Sequence, residues 1–192
     1  MRNMDYYSKQ AKKLGYQARS VFKLEEIQGR FKILRRNMKI LDIGSSPGSW
    51  SEYVIKKFNA SVTGIDLKDT NISRKNIKNF SFILGDIFDE HVEELVMKNA
   101  PFDIVLSDAA PSTTGNRGID SLRSCEIGNR VFDIARNVLK KGGSLVIKVF
   151  QGSEEKELLN RFRGGFEKSK GFKPKACRKE SYETYFLGFK YL

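Results

Sequence analysis

Short apolar runs, most of them stopping on glycine or an acid, recur along this chain with amphipathic stretches between them. The runs Lys39–Ile43, Ser61–Asp66, Phe80–Leu84, 103–107 and 143–150 have the length and β-branched content of buried strands. Residues 18–28 place Val21, Leu24 and Ile27 near helical spacing, and 50–58, 91–99, 125–139 and 154–166 read as further helices. Strands that alternate with helices pack as a parallel sheet covered on both faces, because each parallel connection needs a crossover. Two later runs, 173–178 and Glu183–Tyr191, break the alternation and lie close enough to pair with each other. The expected fold class is therefore α/β: a mostly parallel seven-stranded sheet with helices on both faces and an antiparallel C-terminal edge. Ligands of such sheets bind at the carboxyl ends of the strands, where the strand order reverses.

The residues that follow the strands are chemically suited to that position. After the first run comes Asp42-Ile43-Gly44-Ser45-Ser46-Pro47-Gly48-Ser49-Trp50. Glycines let the backbone turn tightly against a ligand, small serines keep the space open, and the next helix offers its N-terminal amides to a carboxylate. The pattern is neither a phosphate loop nor a dinucleotide fingerprint, since GxxxxGK[ST] and GxGxxG are both absent. Asp66 ends the second run and can accept hydrogen bonds from both hydroxyls of a ribose. Asp86 follows the third and can take an adenine amino group. Each acid alone would read as a helix cap or a solvated turn. Suitable groups at three successive strand ends read instead as a nucleoside site. Asp108 follows the fourth run. Lys148 lies inside the fifth, between Val146, Ile147, Val149 and Phe150. A lysine there must pair, reach water or lose its proton, and Asp108 is the expected partner.

Charge points to the substrate. The 192-residue chain has a net charge of +12. Residues 1–39 hold eleven Lys/Arg, from Arg2 to Lys39, against Asp5, Glu25 and Glu26, and a second basic stretch runs from Arg161 to Lys179. Two basic flanks around a balanced middle predict a positive face drawn to nucleic acid. Tyr6, Tyr7, Tyr16 and Phe22 interleave with the first flank, either to stack on bases or to anchor N-terminal helices to the core. No apolar run is long enough to span a membrane, and Met1 to Gln10 lack the apolar stretch of a secretory signal. Cys125 and Cys177 have no metal-ligand spacing and suit a reducing, cytoplasmic compartment. No metal is called for, and His91 reads as a helix residue.

Five segments in order carry a resemblance: Ala18-Arg19-Ser20-Val21-Phe22-Lys23-Leu24-Glu25-Glu26-Ile27, the loop 42–50, Ser107-Asp108-Ala109-Ala110-Pro111, Val146-Ile147-Lys148-Val149-Phe150-Gln151-Gly152 and Ser181-Tyr182-Glu183-Thr184-Tyr185. Together they resemble the FtsJ/RrmJ family of ribose 2′-O-methyltransferases, over nearly the whole chain. The resemblance implies a Rossmann-like methyltransferase fold and S-adenosylmethionine as cofactor, with S-adenosylhomocysteine as product. It implies a catalytic set of Lys23, Asp108, Lys148 and Glu183. It places the cofactor on Gly44, Ser46, Pro47, Gly48, Trp50, Asp66, Asp86 and Asp108. Ser45 and Ser46 stand where relatives often have alanine, and Ala109 where some have methionine; all are small replacements. The implied partner is large-subunit ribosomal RNA, methylated on a uridine ribose. The alternatives are a transfer RNA enzyme of the same family or a catalytically silent RNA-binding factor in ribosome assembly. A small-molecule or protein methyltransferase suits the basic N-terminus less well, and a nicotinamide-dependent dehydrogenase lacks its glycine spacing. The expected organisation is a monomer with one domain over residues 1–192, whose basic helical extension, about 1–36, contacts RNA.

Overall fold

The computed structural model describes residues 6–70, 72, 77–152, 154–178 and 180–192. Arg2, Asp5 and Lys179 of the basic flanks lie outside the described residues. Seven strands form one sheet: β1 (Lys39–Ile43), β2 (Ser61–Asp66), β3 (Phe80–Leu84), β4 (Phe102–Ser107), β5 (Leu139–Phe150), β6 (Phe166–Phe172) and β7 (Glu183–Tyr191). Their order is β3-β2-β1-β4-β5-β7-β6. The first five pair in parallel, whereas β7 runs antiparallel to both β5 and β6. The strand order reverses between β1 and β4, so the loops after these two strands open the crevice expected of such a sheet.

Helices α1 (Tyr6–Lys13), α2 (Val21–Phe31) and α3 (Ser49–Phe58) contribute to the apolar core on one face. Helices α4 (Glu90–Met97), α5 (Arg117–Val138) and α6 (Glu155–Arg163) contribute to the core on the other. The stripe Val21, Leu24 and Ile27 that predicted α2 is buried, Leu24 and Ile27 completely. Cutting Leu24 back to alanine would cost about 2–5 kcal/mol, the usual cost of a cavity in a close-packed core. Helix α2 is therefore part of the core, and the exposed charge of the N-terminal segment lies on α1 (Lys9, Lys12, Lys13), at the end of α2 (Arg30) and just after it (Lys32, Arg35, Arg36).

Three boundaries differ from the sequence expectation for identifiable reasons. Helix α5 begins at Arg117, eight residues before the expected start, with Asn116 accepting hydrogen bonds from Gly118 N–H and Ile119 N–H. Its first turns bury Asp120, Ser121 and Ser124, so their inward face carries no apolar signature. Helix α6 stops at Arg163 before Gly164 and Gly165, and the next residues form β6. The strand expected at 173–178 is absent. That segment follows β6 as a turn closed by Cys177 N–H on the Pro174 carbonyl, and a proline in the run removes one ladder donor.

Candidate active site

Alternation along two strands brings three ionisable groups together, and a helix and a strand end add two more. Val146 and Leu187 pack on the α2 side of the sheet. Lys148 on β5, and Glu183 and Tyr185 on β7, share those strand faces because side chains repeat every two residues. Lys148 and Tyr185 are register partners. Lys23 comes down from α2 and Asp108 ends β4, completing the cluster. Lys23 Nζ lies 2.6 Å from Glu183 Oε2 and 3.9 Å from Asp108 Oδ1. Lys148 Nζ lies 3.1 Å from Asp108 Oδ1 and also donates to the Asp108 carbonyl. The lysine side chains are only 9% and 7% exposed, so an unpaired charge on either would be costly.

Asp108 is the hub. Burial would raise its pKa, but the Lys148 and Lys23 ammonium groups and the Tyr185 hydroxyl hold it below the usual carboxylate range. For Lys23, burial works to neutralise the ammonium, and Asp108 and Glu183 overcome it, so its pKa is raised. The group that sequence reasoning missed is Tyr185. Its hydroxyl donates to Asp108 Oδ1 at 2.7 Å, and its own pKa is pushed well up by burial and the neighbouring carboxylates. The signal was available: Tyr185 is two residues from Glu183 on a strand.

On the β1–β3 side of Asp108 a pocket of about 580 Å³ opens, within the ~300–1,000 Å³ usual for small-molecule sites. Gly44, Ser46, Pro47, Asp66, Asp86 and Asp108 line it as expected, joined by Leu67 and Phe88. Gly44 N–H and Ser45 N–H both donate to the Ile65 carbonyl, folding the loop across the end of β2. Gly44 has φ +76°, and a Cβ there would lie 2.6 Å from Ala109 Cα, so only glycine lets the loops after β1 and β4 meet. Asp66 already accepts from Ser46 N–H and Lys68 N–H, each at 2.9 Å, which aims its carboxylate while leaving lone pairs for hydroxyl groups. Asp86 accepts from Phe88 N–H at 3.0 Å in the same manner. Two carboxylates, a glycine turn and exposed Leu67 and Phe88 side chains suit a nucleoside bearing a charged amino-acid tail.

Two expected contact positions, Gly48 and Trp50, do not line this pocket. Gly48 caps α3 in a left-handed conformation, with φ 112°. Trp50 is buried beneath the site: its Nε1–H donates to the Ser20 carbonyl at 2.8 Å, and its ring packs 6.0 Å from that of Tyr185. Its apolar bulk is better satisfied in the core between α3 and α2 than on a wet rim. Ser45 is likewise turned inward and buried, so only Ser46 keeps the mouth open.

On the opposite side of the cluster lies a second cleft of about 490 Å³, lined by Arg19, Ser20, Lys23, Arg178, Ser181 and Glu183 among others. Asp108 faces the first cavity, while Lys23 and Glu183 face the second. The cluster therefore links the two cavities: Asp108 lines one, its partner Lys23 and Glu183 line the other, and buried Lys148 braces Asp108 from within. That arrangement can hold two reactants on either side of a charged cluster. His91 lies far from this chemistry in role, exposed on α4 beside Glu94.

Comparison with known proteins gives the same picture. The model of FtsJ-like methyltransferases matches residues 16–191. The ribosomal RNA large subunit methyltransferase E of Treponema denticola is 42% identical over 186 residues, covering 96% of this chain and 93% of that one. The protein of the same name from Borrelia garinii subsp. bavariensis is 44% identical, covering 96% and 95%. The crystal structure of a ribosomal RNA methyltransferase from Plasmodium falciparum superposes with a TM-score of 0.78 at 30% identity, covering 92% of this chain and 99% of that one. Human methyltransferase-like protein 13, in complex with SAH, shares the fold alone, with a TM-score of 0.61 at 10% identity over 81% of this chain and 72% of that one. With a family model spanning nearly the whole chain and a charged cluster standing between two cavities, the chain belongs to the FtsJ-like methyltransferases.

Proposed function

We propose that this enzyme transfers a methyl group from S-adenosylmethionine to a ribose 2′-hydroxyl of large-subunit ribosomal RNA, a uridine being the expected target. The observation that carries the reading is the Lys23–Asp108–Lys148–Glu183 cluster between a nucleoside-sized pocket and a basic cleft. The names of the relatives, ribosomal RNA large subunit methyltransferases, support the choice of RNA. Bound in the first pocket, S-adenosylmethionine supplies a methyl group activated on a sulfonium. Asp66 and Asp86 would hold its ribose and adenine, with Gly44, Ser46 and Pro47 against its tail.

The remaining chemistry belongs to the chain. An ammonium has three N–H donors. Lys148 commits two to the carbonyl and carboxylate of Asp108, leaving one for the 2′-oxygen. With the cofactor bound, that bond would hold the oxygen towards the methyl group and turn the O–H away from it. Asp108 stays ionised, and with its carboxylate and carbonyl both on Lys148 Nζ it fixes where that amine points, so Lys148 acts as a positioner in this reading. The hydroxyl proton becomes strongly acidic as the new O–C bond forms and then departs to water. Lys23, held by Glu183, fixes Asp108 from the cleft side.

The basic extension serves as the RNA footprint in this reading, through exposed Lys9, Lys12 and Lys13 on α1 and Arg178 at the cleft. Binding should then weaken steeply with salt, because each neutralised phosphate releases counterions. The reading has the enzyme act as a cytoplasmic monomer; among the described residues no helix is long and apolar enough to cross a membrane. The test is label transfer from radiolabelled S-adenosylmethionine to large ribosomal subunits, bulk transfer RNA and deproteinised ribosomal RNA. Label in the subunits or their RNA is the expected result. Label confined to transfer RNA would move the substrate, and label in none would remove RNA from the account.

A further inference from the structure

We infer that Glu26 is a positioning residue for the RNA-side cleft, acting through the turn 174–177; the inference rests on the reading of that cleft as the RNA site. Glu26 follows Lys23 by three residues on α2, so the two share a helix face. Both of its carboxylate oxygens are spent on backbone: Lys175 N–H donates to Oε2 and Ala176 N–H to Oε1, each at 2.7 Å. Arg19, four residues before Lys23, donates from its guanidinium to the Ala176 carbonyl. One turn is thus clamped through two amides and a carbonyl by residues that bracket Lys23 on either side.

Nothing in a solvated turn requires such a clamp. The turn's sequence lacks a strand partner, Ala176 is fully buried, and Cys177 is nearly so. Successive N–H groups in a buried turn need an acceptor, and a carboxylate satisfying two of them makes charge-assisted bonds about twice as strong as neutral ones. The chain then leads from this turn through Arg178 and Ser181, both lining the cleft, to Glu183, which holds Lys23. Glu26 therefore fixes the start of the segment whose end is in the catalytic cluster. It touches neither cavity itself. Loosening it should displace the cleft wall while leaving the cofactor pocket, on the other side of Asp108, unchanged.

The test compares wild type, Glu26→Gln and Glu26→Ala in methyl transfer to the RNA substrate, with S-adenosylmethionine affinity measured by calorimetry and folding by thermal melting. Glutamine keeps one acceptor oxygen and alanine none. The expected order is a KM for RNA raised a few-fold in the glutamine variant and about tenfold in the alanine variant, as the loss of charge-assisted bonds implies. Cofactor Kd should stay within twofold of wild type in both. Unchanged KM for RNA in both variants, with wild type active, would overturn the inference. So would parallel losses of RNA and cofactor binding, which would mark Glu26 as a general stabiliser. If the alanine variant fails to fold, the glutamine variant alone decides by the same criterion. A wild type that methylates no RNA would instead sink the functional reading and the inference with it.

Discussion

The pocket proposed for the cofactor and the cleft proposed for RNA meet at one charged cluster but are built in opposite ways. The groups of the pocket proposed to hold the cofactor sit at or just after strand ends: Gly44 and Ser46 after β1, Asp66 at the end of β2, Asp86 after β3, Asp108 after β4. Short local hydrogen bonds, such as Lys68 N–H to Asp66 and Phe88 N–H to Asp86, set their geometry. The cleft is held by pairs far apart in the chain, Lys23 with Glu183 and Glu26 with Ala176. The pocket depends on turn chemistry, the cleft on docking of α2 against the approach to β7. Substitutions on the two sides should therefore separate cofactor binding from RNA binding, while those in the shared cluster should damage turnover and, at its hub Asp108, stability as well.

The largest effect is expected at the hub. Asp108→Ala leaves the Lys23 and Lys148 ammonium groups buried without their common anion, a loss of about 3–5 kcal/mol in stability. A melt that falls steeply together with lost turnover is the expected outcome; an unaltered melt would mean that the cluster does not depend on Asp108. Lys148→Ala is expected to cut turnover by about 10²–10⁴, with folding retained, because Asp108 keeps Lys23 and Tyr185 as partners. Single-turnover rates at saturating cofactor would measure it.

On the pocket side alone, Asp66→Ala should weaken S-adenosylmethionine binding by about ten- to a hundredfold, the worth of hydrogen bonds to a charged acceptor. KM for RNA should hardly move. Equal losses in both would dissolve the distinction between the two regions.

The remaining effect is one of pH. Asp42 on β1 is buried, with its Oδ2 accepting from the Ser51 hydroxyl, and burial pushes its pKa up to about 7. Its folded pKa is raised, so the folded state holds the proton more tightly than the unfolded chain. The associated stability is fully present below the unfolded carboxylate value near 4 and is lost as pH rises to about 7. The change is at most about 4 kcal/mol across that window. Asp42→Asn should flatten the melting temperature between these limits; an unchanged slope would show that Asp42 does not titrate there.

The same division decides what was legible in the sequence. The carboxyl ends of parallel strands meet at one edge of the sheet, so the shared placement of Asp66, Asp86 and Asp108 on one pocket was legible from position alone, as was the parallel sheet from the alternation of elements. The polar start of α5 was hidden because Asp120 and Ser121 point inward, where apolar residues are expected. Asp120 spends its carboxylate on Thr114, Gly115 and Tyr182, tying the loop after β4 to the approach to β7. The turn at 174–177 was hidden because its partner, Glu26, is about 150 residues away. Trp50 entered the expected cofactor contacts through the family resemblance, but its position on α3 sends the ring into the core.

The central claim is that the cluster acts on a ribose hydroxyl rather than on a base. The most direct test is to digest RNA methylated by wild type and by Lys148→Ala and to locate the added methyl group by alkaline resistance and mass spectrometry of the nucleosides. The account predicts one alkali-resistant dinucleotide carrying a 2′-O-methyl nucleoside from wild type, and almost none from the variant at matched cofactor occupancy. A methyl group on a base, or a ribose methyl formed equally well without Lys148, would contradict it.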